Sequence, residues 1–210
     1  MNTEDLPTTT KGRTYEIRAL GLRDFADLRT PKDVLNPFDL ARYAKLFVVP
    51  FDKVRETLSP ETVEHLLGDG KNAWSGGTCS QNLPNGWRLI ILNPTHGAAR
   101  QNATLMEEVC HVFLGHKPSR LAVKTRNKRG EEIARDYNEA DEEAAYSVGA
   151  AALVPFVALR DFIRQDKTSR QIAVHFNVSR ELVEYRMKIS FLWKSYLEKV
   201  KGNDSEDVDY

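Results

Sequence analysis

The chain has little cysteine, no long apolar run and no excess of charge of either sign. Its 210 residues include two cysteines, Cys79 and Cys110, and its polar start, Met1-Asn-Thr-Glu-Asp-Leu-Pro, lacks the apolar segment of a secretory signal. We therefore expect a reducing, cytoplasmic setting in which both thiols are small core residues. No segment approaches the roughly 20 apolar residues that a membrane span requires, so no membrane partner is expected.

Basic and acidic residues balance, with thirty Lys or Arg against thirty Asp or Glu. The molecule has no bulk charge with which to attract nucleic acid, so any such contact must be local. The densest local charge lies in residues 117–130, where there are six basic residues and no acidic one. A solvated loop is the simpler interpretation of this segment, and a binding patch is the second.

The spacing of the apolar residues predicts an α+β fold. Residues 73–94 contain two strand-like runs separated by the turn signal Asn85-Gly86, which predicts a hairpin within a small twisted sheet. A further short strand is predicted at 47–51, and helices at 104–115 and 138–153 are expected to pack on the sheet. If the strand at 86–93 lies at the sheet edge, it would accept a peptide as an added strand.

The predicted organisation has four parts. Residues 1–14 are polar and expected to be disordered, and residues 15–156 form the main domain. Residues 157–200 form a helical extension, and residues 201–210 form an acidic disordered tail.

The helix predicted at 104–115 carries Glu107, Glu108 and His111. Helical residues four apart lie over one another, so Glu107 and His111 can reach the same point while Glu108 stands beside them. A catalytic zinc takes three protein ligands and a water, so a third ligand must come from elsewhere. Glu142 lies on the small-residue face of the next helix and is the first candidate; Glu143, about 100° further round, is the second. Glu108 is then the general base, taking a proton from a metal-activated water.

Glu107 has a competing interpretation. Thr104 precedes it by three residues, and T-x-x-E at the start of a helix is the pattern of a capping box. If Glu107 caps its own helix, the site has one ligand too few.

The run Leu105-Met-Glu-Glu-Val-Cys-His-Val-Phe-Leu-Gly-His116, followed by the segment from Glu142 to Pro155, resembles the ImmA/IrrE family of zinc-dependent metallopeptidases. That family carries H-E-x-x-H on one helix and a Glu on the next. Glu108 falls on its catalytic glutamate, and His111 and Glu142 fall on zinc ligands, whereas Glu107 stands where the family usually has His.

The resemblance implies a zincin-like peptidase core that binds Zn²⁺, with Mn²⁺ as the alternative because the ligand set is rich in carboxylate. It also implies a protein substrate, of the repressor type, and thereby a part in transcription regulation.

The second function hypothesis is a non-catalytic regulator. Residues 168–186 have the spacing of a helix-turn-helix, with Ser179 at the start of the second helix. Ser179, Arg180 and Arg186 are the candidate contacts with DNA or a protein partner. Of the possible partners, a protein is favoured over nucleic acid.

Overall fold

The computed structural model describes residues 3–78, 83–116 and 138–204. The α-helices in these ranges are α1 (Thr10–Phe25), α2 (Pro37–Tyr43), α3 (Phe51–Arg55), α4 (Pro60–Leu67), α5 (Ala98–Phe113), α6 (Glu139–Leu153), α7 (Phe156–Arg164), α8 (Ser169–Phe176), α9 (Arg180–Ile189) and α10 (Trp193–Asp204). The strands are β1 (Leu46–Val49), β2 (Gly76–Thr78) and β3 (Arg88–Leu92). The α+β class predicted from the sequence is confirmed. The basic segment 117–130 lies outside the described residues.

The described residues divide into two compact units. One contains Met1–Asn36, Ala98–Ala103 and Ser147–Tyr210, and the other contains Pro37–Gly97 and Thr104–Tyr146. The division falls within α5 and α6 and not near residue 156, where the sequence suggested a boundary. The helices after residue 156 therefore belong to the same unit as the N-terminal helix α1.

In the second unit the three strands form a sheet of order β1-β3-β2. Strand β1 runs parallel to β3, and β2 runs antiparallel to it with Thr78 opposite Ile90. Ile90 in the middle of β3 is fully buried. The antiparallel pairing expected from the hairpin pattern is confirmed. Strand β3 is shorter than the run that predicted it, and the end of the other run, residues 79–81, lies outside the described residues. The expectation that β3 lies at the edge is wrong, because both of its sides are already paired.

Asn93 fixes the end of the sheet next to α5. Its buried amide donates hydrogen bonds to the carbonyl oxygens of Lys71 (2.7 Å) and Trp74 (2.9 Å). Its side-chain oxygen accepts bonds from the backbone N–H and the hydroxyl of Thr95. The segment before β2 and the turn after β3 are thus tied to one side chain, which holds β2 in place beside α5.

Helix α5 begins six residues before the position that the sequence suggested. Its N-cap is Gly97, which offers no side-chain hydrogen bond, and Thr104 lies inside the helix. The capping-box interpretation of Thr104 and Glu107 is therefore wrong, since a cap must stand at the helix start. Glu107 remains available as a ligand.

The N-terminal residues are more ordered than their composition suggested. Helix α1 begins at Thr10, and Thr9 caps it by accepting a hydrogen bond from the backbone N–H of Gly12 at 3.0 Å. The prediction of disorder over residues 1–14 is therefore wrong for this turn of helix. At the other end α10 continues to Asp204, and residues 205–210 of the predicted tail lie outside the described residues.

A fully buried ion pair ties α1 to α9 inside the first unit. Arg186 Nη2 donates to Glu16 Oε2 at 2.6 Å, and the side chains are 3 % and 1 % exposed. Arg186 Nε donates to the carbonyl of Val154 (3.0 Å), and Glu16 Oε1 accepts the N–H of Phe156 (2.7 Å). The sequence suggested Arg186 as a contact with DNA or a partner, whereas its guanidinium is buried and hydrogen-bonded to Val154 and Glu16 within the protein.

Helices α8 and α9 flank a short turn in which Asn177 adopts the left-handed conformation. Ser179 caps α9 by accepting the N–H of Leu182 at 3.1 Å, and Arg180 Nε donates to Glu184 at 2.5 Å on the surface. The helix pair is present where the spacing predicted it, but a helix-turn-helix function for it stays a prediction.

Within the described ranges, no single helix has the length and apolar character needed to cross a membrane. Helices α6 and α7 satisfy that criterion only as a pair, and they are bent by 51° at their junction.

Candidate metal centre

The apolar face of α5 sets the rotation of this helix. Its buried residues are Leu105, Met106, Val109 and Cys110. These positions are three to four apart and hence share one side of the helix, which brings residues 107, 108 and 111 to half-buried positions beside that face. Burial raises the pKa of the Cys110 thiol, as expected of a core residue rather than a ligand.

Glu107 and His111, one turn apart on α5, meet Glu142 from the first turn of α6. One potential ligand atom from each of the three lies within 4.8 Å of the other two. His111 Nε2 is 3.5 Å from Glu142 Oε2. Glu143 is exposed and does not belong to this group. The three first-choice ligand candidates thus converge on one point.

The group is strongly negative for its degree of burial. Removal from water, the largest cause, and the nearby carboxylates of Glu108 and Glu142 together raise the pKa of Glu107 to about 7. A buried carboxylate takes up a proton when no cation offsets its charge. The direction of the shift shows that a cation placed here would relieve the repulsion among these carboxylates.

Glu108 is held by a residue that the sequence reasoning missed. Thr78, the last residue of β2, donates its hydroxyl hydrogen to Glu108 Oε2 at 2.8 Å. One oxygen of the carboxylate is therefore fixed from the sheet. The contact between Thr78 and Glu108 could not be predicted from the sequence, because it depends on the long-range pairing that places β2 beside α5.

A second missed residue is His116, three residues beyond the end of α5. Its Nδ1 lies 3.1 Å from His111 Nδ1, and its Nε2 lies 3.7 Å from Asp141 Oδ1. The two rings meet edge to face, with centroids 5.2 Å apart. His111 thus faces Glu142 with one ring nitrogen and His116 with the other.

An α+β fold in which a histidine and two carboxylates converge beside a third, hydrogen-bonded carboxylate has the features of a metal-dependent hydrolase. The model of the IrrE N-terminal-like domain, Peptidase_M78, matches residues 61–188. That match spans more than half of the chain, and the chain belongs to this family, as its resemblance to ImmA/IrrE predicted. Membership makes it a metallopeptidase-type hydrolase at the level of the family. No curated protein and no solved structure was found to match the chain.

Proposed function

We propose that this protein is a zinc-dependent endopeptidase in which Glu107, His111 and Glu142 hold the metal and Glu108 is the general base. The observation that carries the proposal is the convergence of the three ligand atoms within 4.8 Å. The family match supports the same chemistry independently, since it rests on the sequence of residues 61–188.

The donor set fits a divalent cation. Imidazole nitrogen and carboxylate oxygen both bind Zn²⁺, and three protein ligands are usual at a catalytic site. Two oxygen donors against one nitrogen also make the set acceptable to harder ions such as Mn²⁺. When bound, the cation would lower the pKa of a water molecule and polarise the carbonyl of the scissile bond.

The protein's own part in the reaction falls to Glu108. Thr78 donates to Oε2 of this carboxylate, and we assign to Oε1 the role of accepting a proton from the attacking water. The same oxygen would then deliver the proton to the amine that leaves. Thr78 keeps the carboxylate in one orientation through both transfers.

The substrate we propose is a protein of the repressor type, bound as an extended strand. In the described sheet β2 lies at one edge, and its last residue is bonded to Glu108. A peptide that pairs with β2 on the side away from β3 would pass next to the general base. This assigns to β2 the role that the sequence suggested for β3.

Metal content is the first test, and the chain offers a matched pair of variants for it. The wild type should retain about one zinc or manganese ion per chain, as a three-ligand site requires. Glu142→Gln and His111→Ala should lose the ion, whereas Glu143→Gln, the same substitution at an exposed neighbour on α6, should keep it. A wild type that holds no metal under any loading would overturn the proposal.

Cleavage is the second test. Glu108→Gln should bind metal as the wild type does but leave a co-expressed repressor-type protein intact, with cleavage followed by intact-protein mass spectrometry. Equal cleavage by this variant would exclude Glu108 as the base.

Metal identity has a test of its own. Glu107→His restores a second imidazole, and the affinity for Zn²⁺ relative to Mn²⁺ should rise because nitrogen donors favour zinc. The measurement is a competition titration of both ions in the two proteins. An unchanged ratio would mean that residue 107 is not a ligand.

A further inference from the structure

The end of α5 is built so that the chain folds back onto His111. Gly115 adopts a positive φ of 73°, and its N–H donates to the carbonyl of Val112 at 3.0 Å. The N–H of His116 donates to the carbonyl of His111 at 2.9 Å. These two bonds make a Schellman motif, in which the N–H of the second residue after the C-cap bonds to a carbonyl in the last turn of the helix. The side chain of His116 is thereby brought against the ring of His111.

The contact between the two rings is a hydrogen bond through their Nδ1 atoms. At 3.1 Å one Nδ1 must carry a hydrogen and the other must accept it. A histidine that ligates a metal through Nε2 must keep that nitrogen unprotonated, so its hydrogen sits on Nδ1. With His111 as the ligand through Nε2, His111 is the donor and His116 Nδ1 is the acceptor.

The position of Asp141 agrees with that assignment. A neutral His116 that accepts at Nδ1 carries its own hydrogen on Nε2, and this nitrogen faces Asp141 Oδ1 at 3.7 Å. The N–H dipole then points toward the carboxylate. In the opposite assignment His116 Nδ1 is the donor and His111 Nδ1 the acceptor. The Nε2 lone pair of a neutral His116 would then face the Asp141 carboxylate, and the hydrogen of His111 would be on Nε2, which could not then bind a metal.

We propose that His116 is a positioning residue for the metal site: it accepts the Nδ1 hydrogen of His111, with Asp141 behind it, and so fixes the tautomer and ring orientation in which His111 Nε2 is a ligand. This inference rests on the proposed function, because it assigns His111 as a ligand. Histidine ligands in metal sites are commonly oriented by such a partner, and its loss typically weakens metal affinity by about 10–100-fold.

Metal affinity tests the role with two variants at one position. His116→Phe keeps a ring for the edge-to-face contact but has no nitrogen, whereas His116→Asn carries an amide oxygen near the place of Nδ1. We expect the Kd for Zn²⁺, measured by competition with a chromophoric chelator, to rise by about 10–100-fold in His116→Phe and to return most of the way toward wild type in His116→Asn. Equal Kd values for wild type and His116→Phe would overturn the inference and leave the proposed function standing. Equal losses in the two variants would also overturn it, because the loss would then belong to packing.

A spectroscopic measurement on the wild type makes the test independent of how the variants fold. In the ¹⁵N-labelled, zinc-loaded protein, the imidazole hydrogen of His111 should be on Nδ1 and should show scalar coupling across the hydrogen bond to His116 Nδ1. A hydrogen on Nε2 of His111, or no coupling between the two Nδ1 atoms, would overturn the inference. A wild type that binds no zinc would overturn both this inference and the proposed function.

Discussion

Replacing one member of the buried Glu16–Arg186 pair should destabilise the protein severely. In Arg186→Met the carboxylate of Glu16 stays buried without its partner, and the carbonyl of Val154 loses its donor. In Glu16→Gln the guanidinium is the group left without a counter-charge, while the amide oxygen can still accept the N–H of Phe156. Each substitution thus removes one charge and strands the other.

The magnitude follows from the burial of both side chains. Breaking a buried pair on one side costs about 3–5 kcal/mol, because an uncompensated charge remains in the interior. The double variant Glu16→Gln/Arg186→Met contains neither charge and leaves the carbonyl of Val154 as the main unsatisfied group, at about 1–3 kcal/mol. The double variant should therefore be more stable than Arg186→Met alone, and the two single losses should not add.

Urea unfolding at neutral pH, followed by circular dichroism, measures these free energies in the wild type and the three variants. A loss below about 1 kcal/mol in Arg186→Met would place the pair in the range of surface ion pairs and refute the argument. Additive single losses would refute it too, since they would mean that the two side chains act independently. Arg170→Met, the same substitution at an exposed position on α8, is the matched control and should change stability little.

Three further predictions concern the site. In the metal-free protein the pKa of Glu107 is about 7, above its ordinary value of 4.5, so the folded state binds the proton more tightly than the unfolded state. The free energy of unfolding should therefore fall by about 3 kcal/mol as the pH rises from 4.5 to about 7. In Glu107→Gln the free energy of unfolding, measured by urea titration, should depend less on pH over this range. Thr78→Val should lower kcat for peptide cleavage more than it changes KM, and Thr78→Ser, which keeps the hydroxyl that holds Glu108, should restore kcat. Gly115→Ala should lower the free energy of unfolding in urea by about 1–2 kcal/mol, because the positive φ disfavours any residue with a Cβ even though an added Cβ meets nothing within 4 Å. The same variant should bind Zn²⁺ more weakly, because it displaces His116.

Local patterns in the sequence predicted the helix that carries Glu107 and His111 and the paired strands on either side of Asn85. The i to i+4 spacing of Glu107 and His111 was sufficient to indicate that both residues lie on one face of a helix. The strand-like runs around Asn85 were sufficient to indicate an antiparallel strand pair. The position of β3 was not predictable in this way, because its pairing with β1 joins residues about 40 positions apart. No short motif encodes a parallel pairing across the intervening helices α3 and α4 and strand β2.

The misassigned start of α5 has a local cause. Thr104 has the side chain of a capping residue, whereas the helix begins after Gly97, which has no side chain to make a capping bond. Asn93 and Thr95 instead make the hydrogen bonds that stabilise the turn before it. The error mattered for function, because a cap at Thr104 would have taken Glu107 away from the site.

His116 could have been found from the sequence with the rule that a glycine after a helix brings the next residue back onto the last turn. The pattern is His111, then Gly115 and His116. The contact of His116 with Asp141 is not predictable in this way, because it depends on how α6 is positioned.

The replacement of a family histidine by Glu107 changes the charge of the site more than its geometry. Glu107 and Glu142 lie at His111, and Glu108 is close enough to Glu107 to raise its pKa. With these three carboxylates ionised, a divalent cation would leave one net negative charge, whereas a second imidazole in place of Glu107 would leave none. A more negative site holds a cation strongly but polarises a bound carbonyl less, because the ligands donate more charge to the ion. At the site that we propose, this extra negative charge would favour retention of the cation at some cost in its Lewis acidity. It also gives the orientation of the one remaining imidazole, and hence His116, more weight than in a site with two.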